Sequence, residues 1–407
     1  MAPDVPDTAG TAETTEATEA ARVEALHALE ILDTPREERY DRIVRLAQRV
    51  FDVPMVAVNF IDADRQWTKA ETGLAGLGST PSGDSMCRHT VQQPDTLIVP
   101  DATADDRFRE NVFVRRDPHV RFYAGQPLRA PGGERVGSLC LFDTRPRRLS
   151  ADQQSLLQEM AGWVERELEL QRELDRAAEV QQVLMPRTAP HVAGYELAGR
   201  CVPAREIGGD FFAWHPVDGD RLQLHVADVM GKGIPAALIA ASVRAMLVGA
   251  AQFNDQRTAF ARVATASADL LSDTGAFVTA FSARLDPATG RLDYVDAGHG
   301  LAFVFTAGGH RRLERSGPPL GIFLDDSWDA HSTVLQPGET LVVVSDGFLD
   351  FFPSLEETLE RALRADPTGM AAQELVDRAI GFARRHGHPD DVTVVVLRRL
   401  RQEDPTA

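Results

Sequence analysis

Three cysteines in 407 residues leave no disulfide framework to build on, and their spacing matches no zinc-ligand pattern. Such sparse, unpaired thiols suit a reducing compartment, so the expected location is cytoplasmic. Positive charge is also short: 43 Lys and Arg face 61 Asp and Glu, a net charge of −18. A chain this acidic is a poor partner for a nucleic-acid backbone. No apolar stretch reads as long enough to span a bilayer, and no charged n-region precedes an apolar h-region, so neither membrane association nor a secretory leader is expected.

What is present is length with changing texture. A chain of 407 residues exceeds one ordinary core and suggests two domains with connections. Residues 1–21, rich in Ala, Thr, Glu and Pro, read as a disordered tail. Residues 22–150 open with the helical pattern EERYDRIVRLAQRVF and continue through strand-like PMVAVNFID, TLIVPDA, VRFYAGQPL and RVGSLCLFD, an α+β arrangement. Residues 151–185 form a linker helix. Its positions Leu156, Met160, Trp163, Glu167, Leu170, Leu174, Ala177, Gln181 and Leu184 alternate spacings of four and three, an a/d seam that points to a parallel coiled coil and a homodimer. The Leu156–Trp163 part is expected to pack on its own sheet. Pro186 stops the helix. Residues 186–400 make a second domain, and 401–407 a C-terminal tail.

Chemistry concentrates in the second domain. Four aspartates stand at ends of apolar β-type runs: Asp210 in IGGDFF, Asp228 in LQLHVADVMGKG, Asp346 in LVVVSDGF and Asp390 in PDDVTVVVL. Buried carboxylates are costly unless a cation or partner compensates, and clustered carboxylates are what a hard divalent cation needs. FFAWHPV and RLQLHVAD flank a VDGD turn, and with Gly219 as centre Asp210 and Asp228 lie nine residues to either side. An antiparallel hairpin would set them opposite each other. By alternation Asp210 shares a face with Phe212 and Trp214, and Asp228 with Leu222, Leu224 and Val226. Asp346 ends a run with Val342 and Val344, and Asp390 begins one with Val392, Val394 and Val396. The two carboxylates meet if those strands are antiparallel neighbours. Asp391 points the other way, so Asp390 is the preferred ligand.

In this order GGDFF, ADVMGKGIPAAL, SDGF and DDVTVVVL resemble the metal-dependent PPM serine/threonine phosphatases of the SpoIIE-like branch, over about Val180 to Arg399. The resemblance implies a β-sandwich flanked by helices, holding two Mn²⁺ or Mg²⁺ ions. It places Asp228 as the bridge between both ions, with the Val229 carbonyl on one of them. Asp210 acts on one ion directly or through water, and Asp346 and Asp390 hold the other. Asp228 and Asp346 are the residues expected to carry catalysis, in which the ions activate a water near neutral pH. AGHG stands where the family has AGHNP, a departure at the outer edge of the site. Arg205 could hold a substrate phosphate oxygen or simply be a solvated surface arginine. His299 could protonate the leaving oxygen but reads more naturally as structural. A cysteine-dependent phosphatase is excluded, since none of Cys87, Cys140 and Cys201 begins a C-x5-R loop.

CRHTV, LIVPDATADDRF, VRFYAGQPL and GSLCLFDTRPRRLS together resemble a GAF domain, which implies an antiparallel sheet with a face able to hold a small molecule. Arg88 separates Cys87 from His89, unlike the adjacent pair of bilin-binding relatives, so the ligand of this domain is unknown. The fold expected is α+β in two domains: a GAF-type antiparallel sheet with helices, a long linker helix, then a PPM-type β-sandwich. The function expected is a GAF-regulated protein phosphatase acting on a phosphorylated regulator, of which an anti-anti-sigma factor of the STAS type is the family's usual example. The alternative is a silent scaffold that binds the phosphoprotein, a state that loss of a metal aspartate would signal; all four are present.

Overall fold

The computed structural model describes residues 8–74, 78–323, 327–364 and 366–401. It divides into two compact units, Met1–Glu173 and Leu174–Ala407.

The first unit runs α1 (Thr8–His27), α2 (Glu38–Phe51), β1 (Met55–Ile61), β2 (Arg65–Thr72), β3 (Ser79–Pro81), α3 (Cys87–Val91), β4 (Leu97–Val99), α4 (Val112–Arg115), β5 (Phe122–Arg129) and β6 (Arg135–Asp143). The strands form one antiparallel sheet ordered β3-β2-β1-β6-β5-β4. α2 buries Tyr40, Ile43, Val44, Ala47 and Phe51, a 3.6-residue stripe, against Val56, Val58, Phe60, Leu139 and Leu141 on one sheet face. The other face carries Met55, Ala57, Tyr123, Cys140 and Phe142 under the segment that contains α3 and α4.

Residues 8–21 are helical, which corrects the expected disordered tail; residues 1–7 lie outside the described ones. Ala and Glu are strong helix formers, and the segment holds no proline after Pro6. Leu26 at its end is fully buried in the core, and the buried Arg22 bonds the Ile61 carbonyl and Glu19.

α5 (Ala151–Leu184) is a single 34-residue helix. Its buried stripe is Leu157, Met160, Ala161, Val164 and Leu168, joined at the edge by Leu156, whereas Trp163 is 38% exposed. The expected packing stripe through Leu156 and Trp163 is therefore off by one position. Two overlapping apolar stripes run along this stretch, and the sheet took the one with Leu157 and Val164.

The second unit stacks two antiparallel sheets. Its strands are β7 (Tyr195–Val202), β8 (Phe211–Val217), β9 (Arg221–Val229), β10 (Val278–Asp286), β11 (Arg291–Ala297), β12 (Ala302–Thr306), β13 (Gly309–Arg312), β14 (His331–Val334), β15 (Thr340–Val344) and β16 (Val392–Arg399). One sheet is ordered β14-β11-β10-β9-β8 and the other β13-β12-β15-β16-β7. Phe212, Leu222, Leu224 and Val226 from the first meet Leu341, Val343, Val395 and Leu397 from the second in the inter-sheet core. The helices α6 (Ile234–Phe253) and α7 (Gln256–Thr274) belong to the core on the outside of the first sheet. The helices α8 (Leu355–Arg364) and α9 (Ala372–His386) flank the second. The expected tail, Arg401 apart, lies outside the described residues.

α6 corrects one reading of the sequence: by length and composition alone it could cross a membrane. Alanines dilute its apolar character to the eye. Its Ala236, Ile239, Ala240, Val243, Leu247 and Ala251 stripe is buried in the outer core with Phe211, Ala227 and Val278.

Candidate metal centre

The β8–β9 hairpin pairs Phe211 with Ala227 and Val217 with Arg221, a register centred on Gly219. Continued by one residue, it sets Asp210 opposite Asp228. Gly219 sits at φ +79°, which the tight turn requires. β15 and β16 are antiparallel neighbours, with Val344 opposite Val394, so the end of one strand carries Asp346 beside the Asp390 that precedes the other.

The environments of the four differ. Asp210 is 2% exposed and accepts a hydrogen bond from Thr393 Oγ1 at 2.7 Å. Burial, then the charges of Asp228 and Asp391, push its carboxyl well above the usual range. Asp228 is half-buried; burial first, then Asp346, Asp390 and Asp391, raise it to about 7, while a hydrogen bond with Asp210 pulls the other way. Asp346 is reached by solvent, yet desolvation and the charge of Asp390 raise it as well. Asp390 is half-exposed and pairs with Lys232 Nζ at 2.8 Å; the same ammonium donates to the Pro389 carbonyl at 2.7 Å.

Among the described residues no three His, Cys, Asp or Glu side chains stand together at metal-ligating spacing. The donor chemistry nevertheless fits a hard cation. Burial first, then the charges of Asp346 and Asp390, raise the proton affinity of Asp228, and burial and Asp390 raise that of Asp346, as expected of carboxylates drawn together with too little positive charge. Gly209 adds a cradle beside them, because a Cβ there would lie 2.7 Å from the Val229 carbonyl oxygen.

Asp391 does different work from Asp390. It is 6% exposed, and its carboxylate accepts from the backbone N–H groups of Ala204 at 2.7 Å, Gly209 at 2.7 Å and Asp210 at 3.3 Å. It thus holds the loop that delivers Asp210. Gly208 is required here, since its Cβ would fall 2.1 Å from Asp391 Oδ2. The same glycine is gripped from the other side: Gln181 Nε2 donates to the Gly208 carbonyl at 2.7 Å, and the Gly208 N–H donates to Gln181 Oε1 at 3.1 Å. The C-terminal part of α5 is thereby bonded to the loop entering the site.

Arg205 is exposed on that loop, and its guanidinium has no hydrogen bond or ion pair among the described residues. His299 is 6% exposed, faces Thr279 Oγ1 at 3.2 Å through Nδ1, and is pushed down to about 4 by burial. It is neutral near pH 7 and has no imidazolium proton to give. The AGHG turn is held instead by Asp296, fully buried, whose two oxygens both lie 2.9 Å from the Gly300 N–H. Sequence reasoning passed over Lys232, Gln181 and the bonding role of Asp391. Only Lys232 left a signal there, as a lone cation between two glycines just after Asp228.

Residues 218–400 match the family described as Stage II sporulation protein E (SpoIIE), and residues 35–168 match the GAF domain. The chain joins a GAF domain to a PPM-type domain of the SpoIIE branch. It is similar to the phosphoserine phosphatase RsbU of Bacillus subtilis (strain 168), 26% identical over 242 residues that make up 57% of this chain and 71% of that protein. Phosphoserine phosphatase RsbP of the same organism is 28% identical over 196 residues, 46% of this chain and 45% of that protein. Cyclic di-GMP phosphodiesterase PA2567 of Pseudomonas aeruginosa is 39% identical over 111 residues, 27% of this chain and 19% of that protein. The chain spans less than half the length of the last two. Among solved structures, the SiaA-PP2C domain of Pseudomonas aeruginosa aligns with TM-score 0.48 and 20% identity, covering 57% of this chain and 97% of that one.

Proposed function

We propose that the chain is a metal-dependent protein phosphatase acting on phosphoserine or phosphothreonine of a regulatory protein, governed by its GAF domain. The observation that carries this is the hairpin register that sets Asp210 against Asp228, together with the β15–β16 pairing that brings Asp346 and Asp390 to the same end. Asp228, Asp346 and Asp390, with Asp210 and the Val229 carbonyl, would hold two Mn²⁺ or Mg²⁺ ions. When bound, such ions lower the pKa of a water and screen the charge of the phosphoryl oxygens. The chain's own contribution is placement. Asp391 fixes the Ala204–Asp210 loop through three N–H groups, and Thr393 orients the Asp210 carboxyl. Lys232 neutralises Asp390, and Arg205 is free to meet a phosphate oxygen.

The similarity to RsbU and RsbP supports a phosphoserine substrate, and a STAS-type anti-anti-sigma factor in the cytoplasm is the partner this reading favours. The exposed Leu170 of α5 supports a homodimer through that helix, and the Gln181–Gly208 bonds offer a way for the helix to act on the site. Hydrolysis of p-nitrophenyl phosphate by the purified chain should require Mn²⁺ or Mg²⁺ and vanish on chelation. Turnover that persists in EDTA, or none with either metal at any pH from 6 to 9, would overturn the proposal.

A further inference from the structure

The GAF unit holds a second chemical site that the phosphatase reading does not use. Cys87 and Cys140 lie 53 residues apart in sequence, yet their sulfurs are 2.9 Å apart. Both remain free thiols, as expected from the sequence, but they are in contact. Cys140 sits mid-strand in β6, flanked by Ala57 of β1 and Gly125 of β5, and Cys87 begins α3. Both side chains are buried, 1% and 0% exposed.

Buried cysteines kept for packing sit among apolar groups and are inert. These two are ringed by fully buried polar groups. Ser138 Oγ lies 2.9 Å and Tyr123 OH 3.4 Å from Cys140 Sγ, and Asn59 Nδ2 donates to Cys87 Sγ at 3.3 Å. Thr90 Oγ1 in turn meets Tyr123 OH at 2.5 Å. Gly125 leaves room for that pair of hydroxyls, since a Cβ there would lie 2.3 Å from Tyr123 OH. Burial opposes ionisation of Cys87, but hydrogen bonds from Cys140, Ser138, Tyr123 and Asn59 outweigh it and bring the thiol to about 7; burial and Cys87 itself push Cys140 well up. The result is one sulfur ready to ionise and one that keeps its proton, in contact.

Cys87 also has an approach. It lines a cavity of about 30 Å³ with Asn59, Thr68, Met86, Val120 and Phe142. That volume admits a molecule of one or two heavy atoms. It is an order of magnitude below a pocket for a haem, a bilin or a nucleotide, which needs about 300 Å³ or more. His89 is turned away from any such role, packing edge-on to Phe108 at 5.0 Å.

We propose that Cys87 and Cys140 are a reversible dithiol–disulfide couple, oxidised by hydrogen peroxide that enters this cavity. The Cys87 thiolate attacks one peroxide oxygen and the O–O bond breaks, leaving a sulfenic acid and a hydroxide that takes a proton to become water. Cys140 then gives its proton to the sulfenic oxygen and its sulfur to Cys87, and a second water departs. Two thiols lose two hydrogens, and one peroxide is reduced. The sulfurs need close by less than about 1 Å to bond. Disulfides of reducing compartments are typically transient and redox-sensing.

The full chain, reduced and then titrated with hydrogen peroxide, tests this. Of the three thiols, two should disappear together and leave Cys201. Non-reducing peptide mapping should show a Cys87–Cys140 link that dithiothreitol reverses. Cys140→Ser should instead leave Cys87 as a sulfenic acid trapped by dimedone, and Asn59→Ala should slow the loss of Cys87 several-fold. If Cys87 and Cys140 both remain alkylatable after peroxide has consumed Cys201, or if Cys87 links only to Cys201, the couple does not exist. The mapping of the wild-type chain decides this without any variant.

Discussion

Removing a carboxylate from the centre should make the metal-free protein more stable, which is the reverse of what most core substitutions do. Asp228→Asn is the sharpest case. In the metal-free fold its proton affinity rises from the ordinary 3.8 to about 7. At about 1.36 kcal/mol for each tenfold change in proton binding, that gap is worth about 4 kcal/mol. The sign follows from the direction. A carboxyl whose folded pKa is raised leaves stability intact below about pH 4 and drains it as pH climbs through about 7. At pH 8 the whole cost is present. Asp346 and Asp390 share the repulsion, so one substitution should recover about half, about 2 kcal/mol. For a domain of this size that is about 4–8 °C in Tm.

Scanning calorimetry of both proteins at pH 5 and pH 8, in EDTA and in Mn²⁺, reads the prediction directly. In EDTA the variant should melt higher than the wild type at pH 8, with a much smaller gap at pH 5. Mn²⁺ should raise the wild-type Tm and leave the variant nearly unmoved. Phosphoester hydrolysis by the variant should be lost at every metal concentration. A variant that melts lower than wild type in EDTA at pH 8 would refute the crowding of carboxylates. An unaltered Mn²⁺ response, or near-wild-type turnover, would refute the assignment of Asp228 to the metals.

The adjacent pair should separate into two phenotypes: Asp390→Ala melts no lower than the wild type in EDTA and loses activity, whereas Asp391→Ala loses about 3 kcal/mol or more, measured in urea, because three backbone N–H groups lose their acceptor. Lys232→Gln should tighten Mn²⁺ binding by a few-fold in titration calorimetry, since the ammonium now paired with Asp390 competes with the cation; weaker binding would mean that Lys232 supports the loaded site. Gln181→Ala should lower kcat with little change in KM, by freeing Gly208 from α5; kinetics identical to wild type would make that contact incidental. Leu170 and Leu174 replaced together by polar residues should shift the chain towards monomer in sedimentation, and an unchanged dimer would remove α5 from the interface.

The sequence was most legible where a short-range rule decides the answer. The hairpin centre at Gly219 follows from a turn dipeptide between two alternating runs, so its register could be counted. The neighbouring of β15 and β16 could only be stated as a condition, because 47 residues, Ser345 to Asp391, lie between the two strands and no local signal spans them. Residues 8–21 were misread because composition resembles disorder wherever side chains are small and polar, and Leu26 and Arg22, further along the same helix, reveal what it packs on. In α5 the difficulty was phase. Leu156, Leu157, Met160, Ala161, Trp163 and Val164 satisfy two helical stripes at once, and the tertiary contact chooses.

The least legible features are polar groups whose partners are backbone. Alternation placed Asp391 on the face opposite Asp390, but it could not say that this face presents three N–H groups from a loop some 180 residues earlier. Gln181 illustrates the same blindness: in the seam it reads as a polar interruption of a coiled coil, yet its amide satisfies both the donor and the acceptor of one glycine. An amide is the side chain suited to that task, since it carries both roles in one plane. The interruption of the apolar seam therefore has a use of its own. A leucine at position 181 would extend the stripe and leave Gly208 unpaired, so a seam made more regular by Gln181→Leu should lose activity as Gln181→Ala does while dimerising at least as well. Should that variant instead keep full activity, the glutamine is only a tolerated break in the seam.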